Sequence, residues 1–127
     1  MTKILSIVET AYRATIEEQD DTILWFNHIL KIAGAEITLV LRANAVNYAV
    51  RGQDASGLRF GALSQSHPPK IDNDVTALIE KGVPVYVVNE DATERGVSEA
   101  ELVCGVQRIS RRMLPKFLDQ FDHVWHW

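Results

Sequence analysis

Three stretches of this chain are apolar on nearly every residue: "KILSIVE" at 3–9, "AEITLVL" at 35–41 and "VPVYVV" at 83–88. A strand with one wet face alternates apolar and polar residues, whereas a strand covered on both faces does not. Each run is therefore expected to be a strand of a mainly parallel sheet, and the closing "DHVWHW" at 122–127 reads the same way. Helical spacing fills the gaps. In Thr22–Ala33 the residues Ile23, Phe26, Leu30 and Ala33 repeat every three or four positions, and Gly34 can take the left-handed stop. A second helix is expected over Asp72–Lys81, with Asp72, Asn73 and Asp74 as capping oxygens, Val75, Leu78 and Ile79 inward, and Gly82 after it. A third is expected over Val106–Gln120, with Val106, Ile109, Met113 and Phe117 inward and a kink or restart at Pro115. A short helix is expected at 44–50, and the Gly-, Ser- and Pro-bearing stretch from Arg51 to Lys70 reads as a long loop.

Strands alternating with helices predict an α/β three-layer sandwich: a mainly parallel sheet of four or five strands flanked by helices. The 127 residues supply one core, so residues 1–127 are expected to form a single domain. Ligands of such sheets bind beyond the carboxyl ends of the strands. Three turns leave those ends, at Thr10–Arg13, Arg42–Asn44 and Asn89–Asp91. The pocket they predict is rimmed by Thr10, Asn44, Asn89 and Asp91, with Arg95 available for an anion.

The common chemistries of α/β proteins lack their motifs here. A dinucleotide site or a P-loop needs glycines after the first strand so that backbone amides can approach phosphate, and "ETAYRATIEEQ" has none. Thr10 and Thr15, with Tyr12, Arg13 and Ile16 among them, make a poor flavin phosphate cradle. A phospho-acceptor site needs clustered carboxylates. Glu9 and Asp91 can meet, but Asp20 and Asp21 precede the first helix and complement its dipole. No G-x-S-x-G turn marks a serine nucleophile. His123 and His126, three apart on a strand, point to opposite faces and cannot share a metal ion, and His28 and His67 read as a helix-surface and a loop residue. No cofactor is expected.

The net charge of −4 argues against direct nucleic-acid binding or anionic membrane, and Arg108, Arg111, Arg112 and Lys116 read as a solvated or ion-pairing helix face. No apolar run reaches the roughly 18 residues of a membrane span, and the first residues lack the pattern of a signal peptide. With a single cysteine, Cys104, neither an intramolecular disulfide nor a cysteine-rich zinc site can form, and a cytoplasmic location is expected. Cys104 is either a small buried hydrophobe or a reactive thiol activated by the start of the third helix.

The order of these pieces resembles the DsrE/DsrF/DsrH-like sulfur-relay family, which includes the TusB, TusC and TusD subunits and small YchN-like proteins. The residues that carry the resemblance are "TILWFNHILKIAGAEITLVL", "LIEKGVPVYVVNEDATERGV", "ELVCGVQRIS" and the terminal "FDHVWHW". The resemblance implies one α/β domain assembled as a homo-oligomer, a trimer or hexamer, or as a hetero-oligomer with DsrE-like subunits, with a sulfur-carrier protein as a partner. It also implies, in sulfur-carrying members, a cysteine near the end of the third strand that accepts sulfur as a persulfide. The corresponding position here is Asn89, which cannot carry sulfane sulfur, and Cys104 lies 15 residues later.

Three functions stay open on these residues. One is a non-catalytic oligomeric subunit or binding module, another a sulfur carrier or sulfurtransferase using Cys104, and the third a flavodoxin-like protein binding a small molecule or nucleotide. The exposure of Cys104 and its place relative to Asn89 separate the first two. Trp125 and Trp127 are expected to be covered by a subunit interface or by docking on the final helix.

Overall fold

A computed structural model of the chain describes residues 2–12 and 21–127; the expectations attached to Arg13, Thr15, Ile16 and Asp20 lie outside that range. Along the chain run β1 (Lys3–Val8), α1 (Thr22–Ile32), β2 (Glu36–Leu41), a 3-10 helix (Ala43–Ala49), the hairpin strands β3 (Arg59–Phe60) and β4 (Leu63–Ser64), α2 (Ile71–Glu80), β5 (Val85–Val88), α3 (Asn89–Glu94), β6 (Gln107–Ile109), α4 (Leu114–Leu118) and β7 (His123–His126). Five strands form one sheet in the order β6-β5-β2-β1-β7, and every neighbouring pair is parallel. Among the described residues no helix is long and apolar enough to cross a membrane.

The order explains why helices lie on both faces. From β1 to β2, β5 and β6 the chain moves one way across the sheet, and α1 and α2 pack on one face, against Val8, Leu39, Leu41, Val85 and Val87. From β6 to β7 it returns, and a right-handed crossover then requires the opposite face. There Leu114, Phe117, Leu118 and Phe121 cover Leu5, Ile7, Val40 and Val88. The central strands are thus buried on both sides, as their continuous apolar runs require.

Three expectations are corrected. The third helix does not begin at Val106: residues 107–109 form the edge strand β6, and only Leu114–Leu118 is α-helical, with Pro115 in its first turn, where a missing N–H costs nothing. Asn89–Asp91 is no turn but the start of α3. Asp72 and Asp74 do not cap α2, which begins at Ile71 without a side-chain cap. Their carboxylates instead accept the amides of Gly52 (3.0 Å) and Asp21 (3.0 Å) and so tie α2 to neighbouring segments. The loop of 51–70 also contains the β3–β4 hairpin. The short helix at 44–50 is present as the 3-10 helix.

The tryptophans dock on the first helix, not the last. Trp125 stacks on Phe26 of α1 at 6.3 Å, and Trp127 meets the same ring edge-on at 5.9 Å. The Trp127 indole N–H donates to the hydroxyl of buried Ser6 (2.8 Å).

Candidate functional site

In an open parallel sheet the ligand crevice lies where neighbouring strands send their following connections to opposite faces. Here those neighbours are β5 and β6. The chain after β5 packs Val97, Leu102 and Val103 on the α1–α2 face, and the chain after β6 packs Leu114 on the other. Their last paired residues are Val88 and Ile109, so Asn89 and Ser110 flank the crevice.

Polar side chains fill this edge. Asp91, buried near the start of α3, accepts the amide of Ala43 (2.7 Å) and pairs with the Arg111 guanidinium. Ala43 has a positive φ of 50°, strained for a residue with a Cβ, and the Asp91 bond fixes it there. Arg95 donates to Asn44 Oδ1 (3.0 Å) and to the Asp91 carbonyl (3.2 Å). Glu90 accepts the Arg111 amide at 2.9 and 3.1 Å, so β6 is tied to α3 across the crevice. Arg111 also reaches Glu94 (3.1 Å), and Arg108 joins Asn89 Oδ1 (3.3 Å) to Glu99 (2.9 Å).

Burial works to raise the Asp91 carboxyl, but the Ala43 amide and Arg111, helped by Arg95, outweigh it and hold Asp91 below the ordinary carboxylate range. Its bonds to Asp91 and Glu94 raise Arg111 in turn. Replacing Asp91 by alanine is expected to cost about 2 kcal/mol, because a half-buried charged pair and a backbone bond are lost together. A group held below its unfolded value of about 3.9 stabilises the fold above that pH and loses its effect as pH falls through the folded value. The gap between wild type and Asp91→Ala in urea unfolding should therefore be full at pH 7 and narrow below about pH 4. A gap independent of pH would show that the carboxylate charge is not what matters.

Of the residues singled out in the sequence, Asn44, Asp91 and Arg95 come together, and Asn89 sits beside them on Arg108. Arg95 is engaged by Asn44 and the Asp91 carbonyl. Thr10 lies beyond β1, two strands from β5, with its amide 3.4 Å from the Trp127 carbonyl. Cys104 is exposed, not a buried hydrophobe, and it stands at the other end of the sheet. β6 begins opposite Tyr86, so a residue three positions earlier falls toward the amino end of β5, whereas Asn89 follows its carboxyl end. Gly105, next to Cys104, has φ +96° and packs on Ile79, near the end of α2, so closely that a Cβ there would come within 2.9 Å of the Ile79 side chain. Cys104 precedes a turn and the strand β6, not the start of a helix.

Sequence reasoning missed Arg108 and Arg111 as site residues, because their role depends on β6 pairing with β5. It also missed His126, whose Nε2 lies 2.7 Å from Glu9, the residue that follows the neighbouring strand β1. Among the described residues no group of His, Cys, Asp and Glu is arranged to hold a metal ion. Among the described residues, none of the side chains brought together at the crevice is a thiol, lysine or histidine, so these groups offer no strong nucleophile.

Two solved structures share the fold along nearly the whole chain. The ychN protein from E. coli superposes with a TM-score of 0.76 at 21% identity, covering 100% of each chain. MTH1491 from Methanobacterium thermoautotrophicum, a protein of unknown function, superposes with a TM-score of 0.69 at 12% identity, covering 98% of this chain and 99% of that one. No curated protein matches the chain. The profile of the DsrE/DsrF-like family matches residues 7–126, and the chain belongs to that family.

Proposed function

We propose that this DsrE-like protein is a non-catalytic oligomeric subunit or binding module, with Asn89 at the strand end where sulfur-carrying relatives of the relay family have cysteine. The observation that supports this most is the separation of its parts: the only thiol, Cys104, precedes β6 at the amino end of the sheet, and Asn89 follows β5 at the carboxyl end. Thr10, Asn44, Asn89, Asp91 and Arg95 are the residues we assign to the binding edge, where amide, hydroxyl and charged groups suit a polar ligand.

The exposure of Cys104 favours, as a second reading, a sulfur carrier acting through that thiol alone. Intact-mass measurement after incubation with a persulfide-loaded donor protein separates the two. The expected result is no stoichiometric gain of about 32 Da in the wild type, and a gain in Asn89→Cys, whose new thiol lies beside the Arg108 cation that favours thiolate. A full gain in the wild type that disappears in Cys104→Ala would replace the binding-module reading with the carrier reading.

A further inference from the structure

We propose that the β3–β4 hairpin of one copy docks in the groove between α1 and α2 of the next, closing a ring of identical subunits. Both surfaces are apolar, exposed and without a cover among the described residues. Residues 56–64 are all exposed, among them Leu58, Phe60 (60%) and Leu63 (73%). The hairpin has two paired positions, Arg59 with Ser64 and Phe60 with Leu63, around a tight turn at 61–62. An isolated two-stranded hairpin is marginal in water, and an apolar tip worsens its position unless something covers it.

The acceptor is on α1. Seven of its eleven residues are apolar, and only part of them face the core. Trp25 (49%), Ile29 and Ile32 (61%) form a second stripe at spacings of four and three that faces outward. A helix apolar on both sides is suited to burial on both. Between this stripe and Ala77 of α2 lies a groove of about 260 Å³, with His28 and Asp74, whose carboxylate also accepts the Asp21 amide, at its polar margin. The hairpin brings the matching charge: Arg59, beside Phe60, has no ion-pair partner among the described residues. An apolar tip flanked by a cation thus fits an apolar groove flanked by a carboxylate.

Donor and acceptor are different surfaces of the same chain, so the contact is heterologous. Such contacts close into rings or run on as filaments. The interface rests on the oligomeric reading above, and sedimentation separates the two. Wild type is expected at the mass of a closed ring, three or six chains. Phe60→Glu and Ile32→Glu are each expected at the mass of one chain. Mixed in equal amounts they should form a two-chain complex, because one supplies an intact groove and the other an intact hairpin. Leu63→Asp and Ile29→Glu form a second pair, used if circular dichroism shows either first variant unfolded.

A single-chain wild type would overturn the oligomeric reading and this interface with it. Variants that keep the wild-type mass would overturn this interface alone. So would variants that dissociate but stay single-chain when mixed, since the two surfaces would then not be partners.

Discussion

Asp21→Ala is expected to lower stability by roughly 3 kcal/mol, measured by urea unfolding at pH 7, although Asp21 lies outside the strand-end crevice. One carboxylate oxygen caps α1, accepting the amides of Ile23 (3.0 Å) and Leu24 (3.1 Å). The other accepts the hydroxyl of Tyr48 (2.8 Å), which itself accepts the amide of Tyr12 (2.6 Å). Asp21 and Tyr48 are both buried, so alanine removes a cap worth about 1 kcal/mol and leaves the Tyr48 hydroxyl without its acceptor, at about 1–3 kcal/mol. Asp21→Asn should lose much less, since its oxygen can still cap the helix. Tyr48→Phe should overlap with Asp21→Ala, so that the double variant loses less than the sum.

The same bond bears on alkaline stability. Burial raises the Tyr48 phenol, and the Asp21 bond raises it further. The stabilisation is then complete below the ordinary tyrosine value of about 10 and is lost as pH rises through the folded value. A loss under 1 kcal/mol for Asp21→Ala would mean that water replaces the network at little cost.

Trp127→Ala is expected to cost about 3 kcal/mol, at the low end for a large aromatic because the ring is only partly buried. Three contacts are lost together: the edge-on packing against Phe26 at 5.9 Å, the 6.4 Å contact with Trp125, and the bond to Ser6. Trp127→Phe keeps an aromatic ring but leaves the fully buried Ser6 hydroxyl without its donor, so a loss near 1 kcal/mol is expected. The backbone bonds of Trp127 to Ile7, Glu9 and Thr10 remain in both variants, so β7 should stay paired. If Trp127→Ala unfolds at the wild-type urea concentration, the aromatic group does not anchor β7 to α1.

The sheet was legible because its central strands are buried on both faces, and two-sided burial leaves continuous apolar runs that no helix of this length shares. β6 was not, since Gln107 and Arg108 lie exposed at an edge and "VQRIS" has the three-residue apolar spacing of a helix. α3 escaped for a similar reason: "NEDATE" buries only Asp91 and Ala92, too little to imprint a period. Asn44, Asp91 and Arg95 were singled out by the rule that ligands gather at strand ends, which needs only the strand positions, and the structure brings the three together. Arg111 required the register of β6 against β5, a pairing of residues some twenty positions apart that no local pattern records.

The placement of Cys104 has a practical side. One exposed thiol, at the far end of the sheet from Asn89, is a unique attachment point for a maleimide dye or spin label. A probe there reports tumbling and the spacing between copies while leaving the strand-end residues untouched, without any engineered cysteine.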